Sequence, residues 1–214
     1  MEKKLKKLII FDIDGTLYQA HLVSFPAYKV LAKEMGFKEP SEETIRTFFG
    51  ETFEFVGDTL GLPKDPAVRS HFERRIEEIE YGFVKEYGAL FDGIYEQLKR
   101  LYDEGYLLAL CSMGVKSYVE GIMDCTGIGT FITAYRFDNG VDKKSKMCAD
   151  ILAEVPNDKA IFVGDRKHDL QAARDNRLDF VGCSYGFAPH EIIEAERIAK
   201  TPDELYGKLI EAFA

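Results

Sequence analysis

The chain has 214 residues, enough for one large domain or for a core domain that carries an insert. Hydrophobic residues make up 46% and charged residues 30%, which is usual for a globular protein in water. The formal net charge of -9 argues against nucleic acid or an anionic membrane as the main partner, and no apolar stretch approaches the roughly 20 residues of a membrane span.

The four cysteines, Cys111, Cys125, Cys148 and Cys183, form no recognisable metal-binding pattern. None belongs to a C-x-x-C pair and no histidine cluster lies near them, which argues against a zinc site. Three of them lie in or beside apolar runs and are predicted to be small buried hydrophobic residues. The N-terminal apolar run stops at Asp12 and is too short for a signal peptide. We therefore expect a reduced protein of the cytoplasm.

Five short apolar runs, each bounded by residues typical of turns, are predicted to be buried β-strands. Most of them lack polar alternation, as expected of parallel strands that are covered on both faces. Helical patterns separate the runs, so we predict an α/β fold with a doubly wound parallel sheet. The predicted strands lie at Leu8–Asp12, Tyr106–Ser112, Phe131–Phe137, Ala160–Asp165 and Phe180–Ser184.

Two of the helical patterns carry clear end signals. One places Ile94, Leu98 and Leu101 on a single face and closes with a glycine. The C-terminal segment TPDELYGKLIEAF predicts a helix that opens with a capping box, in which Thr201 is the N-cap and Glu204 the third helical residue.

The region from about residue 19 to residue 88 contains no buried-strand run. Its pattern predicts helices at Phe25–Met35, Ser41–Phe49, Phe53–Leu60 and Pro66–Tyr87. We interpret residues 19–88 as an all-helical cap domain, inserted into a core domain of residues 1–18 plus 89–214 and lying as a lid over the sheet. Its core is expected to contain the aromatic residues Phe48, Phe49, Phe53, Phe55, Phe72, Tyr81, Phe83 and Tyr87.

Polar residues follow four of the predicted strands, at the sheet edge where open α/β sheets bind ligands. Asp12 and Asp14 come first in the chain and are expected to point the same way. Two carboxylates about 4 Å apart repel by roughly 4 kcal/mol at an effective dielectric constant near 20. Solvent, a proton or a cation must offset that repulsion, and the rest of the set favours a cation. The other members are Gly15, Thr16, Ser112, Gly114, a lysine of the segment VDKKSK, Asp165 and Asp169.

These residue types together suit phosphoryl transfer. One carboxylate can attack phosphorus, and a second can give and take protons. Clustered carboxylates bind Mg²⁺, while a hydroxyl, backbone N–H groups and an ammonium group can hold phosphoryl oxygens. Ser112 is also expected to be the N-cap of the helix that follows it.

The motifs DIDGTL, LCSMG, a lysine and VGDRKHD, in this order and at strand ends, resemble the haloacid dehalogenase superfamily of phosphohydrolases. The resemblance covers nearly the whole chain and implies that superfamily's Rossmann-like core. The helical insert resembles the small cap of the phosphoglycolate phosphatase-like branch, and so does the segment VGCSYGFAPHEII near the C-terminus.

The resemblance implies roles for individual residues. Asp12 would be the nucleophile and Asp14 the general acid and base, with its backbone carbonyl facing the metal. Thr16 would support the phosphate-binding loop. Asp165 would ligate Mg²⁺ together with Asp12, and Asp169 would be a ligand or support one.

Phosphate would be bound by Ser112, Met113 and Gly114 from one side and by a lysine from the other. Alignment back from VGD favours Lys144, whereas a loose match to the family's lysine pattern favours Lys146 as the second choice. Lys143 also lies within reach along the chain.

The resulting hypothesis is a Mg²⁺-dependent phosphatase that hydrolyses a small-molecule phosphomonoester through an aspartyl-phosphate. The alternatives are a phosphomutase with the same intermediate and a non-catalytic phosphate-binding module. Arg46 and Glu51 are candidates for contact with the leaving group, and Leu17–Val23 and Gly88–Asp92 are candidate hinges. The partner is expected to be a small phosphorylated metabolite, and the protein a monomer or a homodimer.

Overall fold

A computed structural model describes residues 5–214 and shows one six-stranded, all-parallel sheet with the strand order β3-β2-β1-β4-β5-β6. The chain winds outward from β1 in one direction and then returns to continue from β4 in the other. This order confirms the predicted doubly wound α/β fold, and it opens a crevice at the carboxyl ends of β1 and β4. The strands are β1 (Lys7–Phe11), β2 (Leu107–Cys111), β3 (Ile132–Arg136), β4 (Lys159–Gly164), β5 (Asp179–Cys183) and β6 (Arg197–Ala199).

The five predicted strands are all present, with ends that differ by a few residues, but β6 was not predicted. It has three residues, lies at the edge of the sheet and pairs with β5, where Ile198 is opposite Gly182. Only Ala199 of β6 is buried. So short and half-exposed a strand produces no apolar run in the sequence.

Helices cover both faces of the sheet. Alternate residues of β1 point to opposite faces, so that Ile9 and Phe11 belong to one apolar cluster and Leu8 and Ile10 to another. The first cluster includes residues of α5 (Ile94–Asp103), α6 (Lys116–Thr126) and α9 (Leu205–Phe213), and the second includes residues of α7 (Lys144–Glu154) and α8 (Lys167–Asp175).

The capping box predicted at Thr201 is wrong. The side chain of Thr201 makes no capping hydrogen bond, and a 3₁₀ turn at Pro202–Glu204 precedes α9, which begins at Leu205. The Glu204 carboxylate instead accepts a hydrogen bond from the backbone N–H of Lys200 at 2.8 Å. The intervening turn places Thr201 too far from the α-helix to cap it.

Residues 21–87 form four helices and no strand, and we call them the helical insert. None of the helices within residues 5–214 combines the length and the apolar composition needed to cross a lipid bilayer. α1 starts before the predicted boundary, and α2 ends before Phe48 and Phe49. The helices are α1 (His21–Met35), α2 (Glu42–Arg46), α3 (Phe53–Thr59) and α4 (Pro66–Tyr87).

The aromatic core expected for the insert is only partly correct. Phe48, Phe49 and Phe72 are buried, whereas Phe55, Tyr81 and Tyr87 are exposed. α4 buries a single stripe of residues that includes Phe72, and its two tyrosines lie outside that stripe. A tyrosine ring can cover neighbouring surface while its hydroxyl stays in water.

The two chain segments that join the insert to the sheet run side by side. The N–H of Gln19 donates to the carbonyl of Ala89 at 2.9 Å, and the N–H of Phe91 donates to that of Leu17 at 3.0 Å. An antiparallel bridge between Tyr18 and Leu90 lies between these bonds. The chain therefore passes between the sheet and the insert through one narrow, hydrogen-bonded strip.

We predict that Ile161→Ala in β4 lowers the free energy of unfolding by about 2–5 kcal/mol, because this fully buried side chain would leave a cavity. Val141→Ala is the control, since Val141 is 87% exposed and its truncation should cost less than about 0.5 kcal/mol. Urea unfolding measures both values. Equal effects of the two substitutions would contradict the described core.

Candidate active site

Asp12 and Asp14 lie directly beyond β1, at the crevice of the sheet. The N–H of Asp12 donates to the carbonyl of Val163 at 2.9 Å and so continues the pairing with β4. Gly15 then adopts a φ of 77°, a conformation that favours glycine, and its N–H donates to the carbonyl of Tyr18 at 3.0 Å. The chain turns immediately after Asp14, and both carboxylates line the same cavity.

Asp12, Asp165 and Asp169 form a buried acidic cluster. A carboxylate oxygen from each lies within 4.8 Å of those of the other two. Asp165 follows β4, and Asp169 lies in the first turn of α8. The Oδ2 atom of Asp169 accepts hydrogen bonds from the N–H groups of Asp165 at 3.1 Å and Arg166 at 2.9 Å. Asp169 therefore holds the loop that carries Asp165.

Lys144, the first residue of α7, is the cation of this cluster. Its buried Nζ lies 2.5 Å from Oδ1 of Asp12 and 2.6 Å from Oδ1 of Asp169. Burial opposes the charge of Lys144, but the two carboxylates more than offset that effect and raise its pKa above the ordinary value. The ammonium group therefore remains charged between the two acids.

The other two candidate lysines lie outside the cluster. Lys146 is exposed and pairs with Asp150 at 2.5 Å on the same helix. Lys143 is the exposed N-cap residue of α7. Neighbouring helical residues point in different directions, so only one of these three nearby lysines faces the acids. The structure places Lys144 there, which was the preferred candidate.

The cluster still carries more negative than positive charge. Burial, followed by the charge of Asp169, raises the pKa of Asp12 to about 7. Burial, followed by the charge of Asp12, raises the pKa of Asp165 well above its ordinary value. The buried Oδ1 atom of Asp165 has no hydrogen-bond partner within residues 5–214. These three carboxylates therefore fit a hard divalent cation such as Mg²⁺, which prefers oxygen ligands.

The backbone packs closely around Asp165. A Cβ atom on Gly15 would lie 2.3 Å from its Oδ2 atom, and a Cβ atom on Gly186 would lie 2.4 Å from its Cβ atom. The N–H of Phe187 donates to Oδ2 at 2.6 Å. These contacts hold one carboxylate oxygen and leave the other available to a ligand.

Asp14 has different surroundings. The hydroxyl of Tyr118 donates to its Oδ1 atom at 2.8 Å. Burial raises the pKa of Asp14 to about 7; the bond from Tyr118 opposes this shift, and the charge of Glu80 adds to it. The carboxyl group thus stands beside the acidic cluster as a separate proton donor or acceptor. A metal-ligand role for Asp14 would use its backbone carbonyl and stays a prediction.

The loop after β2 also reaches the cavity. Ser112 is fully buried, and its Oγ atom accepts a hydrogen bond from the N–H of Gly114 at 3.0 Å. Met113 and Gly114 line the cavity. The prediction that Ser112 is the N-cap of the next helix is wrong, because the loop continues to Val115, which precedes α6 and has no capping side chain.

Thr16 is fully buried in the loop after β1. Its carbonyl accepts a hydrogen bond from the hydroxyl of Tyr185 at 2.7 Å. Its own Oγ1 atom has no hydrogen-bond partner within the described residues. The position agrees with a residue that supports the loop, and a direct contact with phosphate stays a prediction.

The helical insert covers these groups and leaves a cavity of about 110 Å³ between them. Arg166 joins the two parts: Nη1 donates to the carbonyl of Phe49, and Nη2 lies 3.3 Å from Oε1 of Glu51. The ring of Phe49 also stacks on that of Phe187, with centroids 4.1 Å apart. Of the two candidates for contact with a leaving group, Glu51 lines the cavity, whereas Arg46 is exposed.

Tyr118 and Arg166 were missed from the sequence. Tyr118 belongs to no motif. It contacts Asp14 because it lies on the side of α6 that faces the site. Arg166 offered a weak signal, since it directly follows Asp165 in the segment GDRKHD. A buried cation beside an acidic loop could have been expected there.

We predict that Gly186→Ala destabilises the protein by about 1–3 kcal/mol, because the added methyl group would overlap Asp165. Gly207→Ala is the matched control: it is exposed in α9, has no atom within 4 Å of the added Cβ, and should stabilise the helix by roughly 0.5–1 kcal/mol. Urea unfolding compares the two. A stable Gly186→Ala variant would show that Asp165 is not confined as described.

Comparison with known proteins identifies relatives of this chain. The phosphoglycolate phosphatase of Vibrio vulnificus is 28% identical, covering 93% of this chain and 92% of that protein. The phosphoglycolate phosphatase of Pseudomonas savastanoi pv. phaseolicola is 27% identical, covering 94% of this chain and 78% of that protein.

Solved structures show the same fold. A protein described as a predicted phosphatase from Clostridium acetobutylicum matches with a TM-score of 0.84 at 20% identity, over 97% of this chain and 100% of that one. CbbY from Rhodobacter sphaeroides, solved in complex with phosphate, matches with a TM-score of 0.78 at 20% identity, over 92% of this chain and 95% of that one. Residues 9–183 match the family model of the haloacid dehalogenase-like hydrolases. The chain therefore belongs to this hydrolase family, as its motifs predicted.

Proposed function

We propose that the protein is a Mg²⁺-dependent phosphatase that hydrolyses a small-molecule phosphomonoester. The observation that carries this proposal is the placement of Asp12. Its carboxylate lies between a buried lysine and two further buried aspartates, and it lines a cavity under the helical insert. The names of the phosphoglycolate phosphatases that resemble the chain support the same reaction class.

Asp12 would be the nucleophile. Its carboxylate oxygen forms a bond to phosphorus as the ester oxygen leaves in line, and Asp14 gives its proton to that oxygen. Asp14 then removes a proton from water, and the water oxygen attacks the aspartyl-phosphate. The phosphorus–oxygen bond to Asp12 breaks, which releases inorganic phosphate and restores both carboxyl groups.

The residues that would hold Mg²⁺ are Asp12, Asp165 and Asp169, with the backbone carbonyl of Asp14. The bound ion would supply positive charge that offsets the negative charge of the cluster and of the phosphoryl oxygens. Asp165 and Asp169 would keep the loop after β4 in place, since Asp169 accepts two backbone hydrogen bonds from it.

The phosphoryl group would lie between Lys144 and the loop after β2. Lys144 already touches Asp12, so its ammonium group would stabilise charge on the oxygens as the bond to Asp12 forms. The Ser112 hydroxyl and the N–H groups of Met113 and Gly114 would bind from the other side. Thr16 would support the first loop.

We also propose that residues 19–88 act as a cap domain on a core of residues 1–18 plus 89–214. The paired segments Leu17–Val23 and Gly88–Asp92 would be the hinge, because the chain crosses between the two parts there. Opening would admit substrate, and closure would exclude bulk water. A cytoplasmic location, and a monomeric or homodimeric state, remain predictions.

The test is phosphate release from p-nitrophenyl phosphate and a panel of metabolite phosphomonoesters. Release should require Mg²⁺, stop with a chelator, and be lost in a folded Asp12→Asn variant. Inorganic phosphate as the product would separate a phosphatase from a phosphomutase, and turnover would separate it from a binding module. A folded wild type that releases phosphate from none of these esters would contradict the proposal.

We predict that Lys144→Met lowers kcat/KM by about 100-fold or more, because it removes a charge held against the nucleophile. Lys146→Met is the matched control, the same change two residues away on an exposed face, and should leave kcat/KM within about twofold. Circular dichroism checks that both variants fold. A larger loss of kcat/KM in Lys146→Met than in Lys144→Met would show that Lys146, and not Lys144, acts on the phosphoryl group.

A further inference from the structure

Two carboxylates of the helical insert face the cavity that also holds Asp12 and Asp14. Glu77 and Glu80 lie three residues apart on α4, on the same face of the helix, and both line the cavity. Within residues 5–214 the structure records no ion pair for either of them. Glu80 accepts one hydrogen bond, from the hydroxyl of Ser24 at 2.7 Å. The insert side of the cavity therefore presents two carboxyl groups without a counter-charge. Burial raises the pKa of both, that of Glu80 to about 7, and a cation beside them would favour their charged forms.

The cations that line the cavity are already matched by acids. Lys144 lies within the acidic cluster of the core. Arg166 pairs with Glu191 at 2.8 Å and with Glu51 at 3.3 Å. His168 lies 3.5 Å from the same Glu51 carboxylate. A carboxylate on a substrate would find no unmatched positive group among the described residues that line this space.

Aromatic rings form much of the remaining wall on the insert side. Tyr28, Phe48, Phe49 and Phe53 line the cavity, and the centroids of Tyr28 and Phe48 lie 5.2 Å apart. The face of an aromatic ring is electronegative and attracts cations. A ring that presents its face to the cavity would therefore favour the same kind of group as the carboxylates.

We infer that the substrate is a phosphomonoester whose alcohol portion carries an ammonium group, and that Glu77 and Glu80 bind this group opposite Asp12. This inference rests on the proposed phosphatase function. It makes phosphoglycolate, which carries a carboxylate in that position, a poor substrate for this chain, although relatives are named after it.

An ammonium group fits this wall better than a neutral hydroxyl group. A hydroxyl can donate a hydrogen bond to a carboxylate, but it supplies no positive charge that would keep the two carboxyl groups ionised in a cavity that excludes water. Buried charges are stable when they are paired with opposite charge. One ammonium group between two carboxylates would provide that pairing.

The experiment compares three esters of similar length in the presence of Mg²⁺: 2-aminoethyl phosphate, propyl phosphate and phosphoglycolate. The expected kcat/KM for the amine is about tenfold or more above that for the propyl ester, which corresponds to one well-formed charge pair. The value for phosphoglycolate should lie below that for the propyl ester. Equal values for the amine and propyl esters, or a preference for phosphoglycolate, would overturn the inference.

Glu77→Gln and Glu80→Gln test the residues directly, since glutamine keeps the size and can still accept the bond from Ser24. In either variant the ratio of kcat/KM for the amine to that for the propyl ester should fall by roughly tenfold. The control is Glu78→Gln, the same change on the outer face of α4, where Glu78 pairs with Arg74 and Arg75. The control should keep the wild-type ratio.

An unchanged ratio in both cavity variants would overturn the assignment of Glu77 and Glu80. Hydrolysis of p-nitrophenyl phosphate that depends on Asp12 but shows no preference for the amine would overturn this inference and leave the phosphatase intact. Failure to hydrolyse any ester would overturn the proposed function, and this inference with it.

Discussion

The arrangement of the site depends on one electrostatic constraint: three buried carboxylates share a single buried ammonium group. Lys144 contacts Asp12 and Asp169, while Asp165 keeps an oxygen without a hydrogen-bond partner within the described residues. Unpaired charge is costly where water is excluded, so such a cluster needs a further cation or protons. The raised pKa values of Asp12 and Asp165 express this need.

The fold supplies the positions that this constraint requires. The carboxyl ends of parallel strands lie at one edge of the sheet. The chain winds away from β1 in one direction and away from β4 in the other, so a crevice opens between the loops that follow these two neighbouring strands. Asp12 and Asp165 come from these two strand ends, and Lys144 comes from the first turn of α7. Close backbone approach at Gly15 and Gly186 then confines the carboxylate of Asp165. Residues far apart in the chain meet because the sheet places their loops side by side.

The helical insert covers this edge and leaves a cavity beneath it. Arg166 directly follows Asp165 and binds the Phe49 carbonyl, so the loop after β4 also contacts the insert. Glu77 and Glu80 add two carboxyl groups on the insert side of this cavity. Under the proposed function the core would carry the phosphoryl chemistry, and the insert would select the group attached to the phosphate.

The buried strands and the strand-end acids could be predicted because each has a local signature. Apolar runs identify β1 to β5, and the residues that follow them include Asp12 and Asp165. β6 could not be predicted, because it is short and only one of its residues is buried.

Side chains that reach the site by helix rotation also lacked a local signal. Tyr118 and Glu80 belong to ordinary amphipathic helices, and only tertiary packing brings them near Asp14. The choice among three lysines was open for the same reason. The exposed aromatic residues of the insert, such as Tyr81, were misassigned because composition does not show which face of a helix is buried.

The most direct test of cation binding by the acidic cluster is the effect of Mg²⁺ on thermal unfolding of the wild type and of Asp165→Asn, without substrate. Saturating Mg²⁺, at about 100 times its Kd, should raise the Tm of the wild type by on the order of 5–10 °C, because the ion binds only the folded cluster. Mg²⁺ should raise the Tm of Asp165→Asn much less. In the presence of a chelator this variant should have a higher Tm than the wild type, because the substitution removes one of the mutually repelling carboxylates. A wild-type Tm that Mg²⁺ leaves unchanged, or equal gains in both proteins, would show that the acidic cluster does not bind the ion.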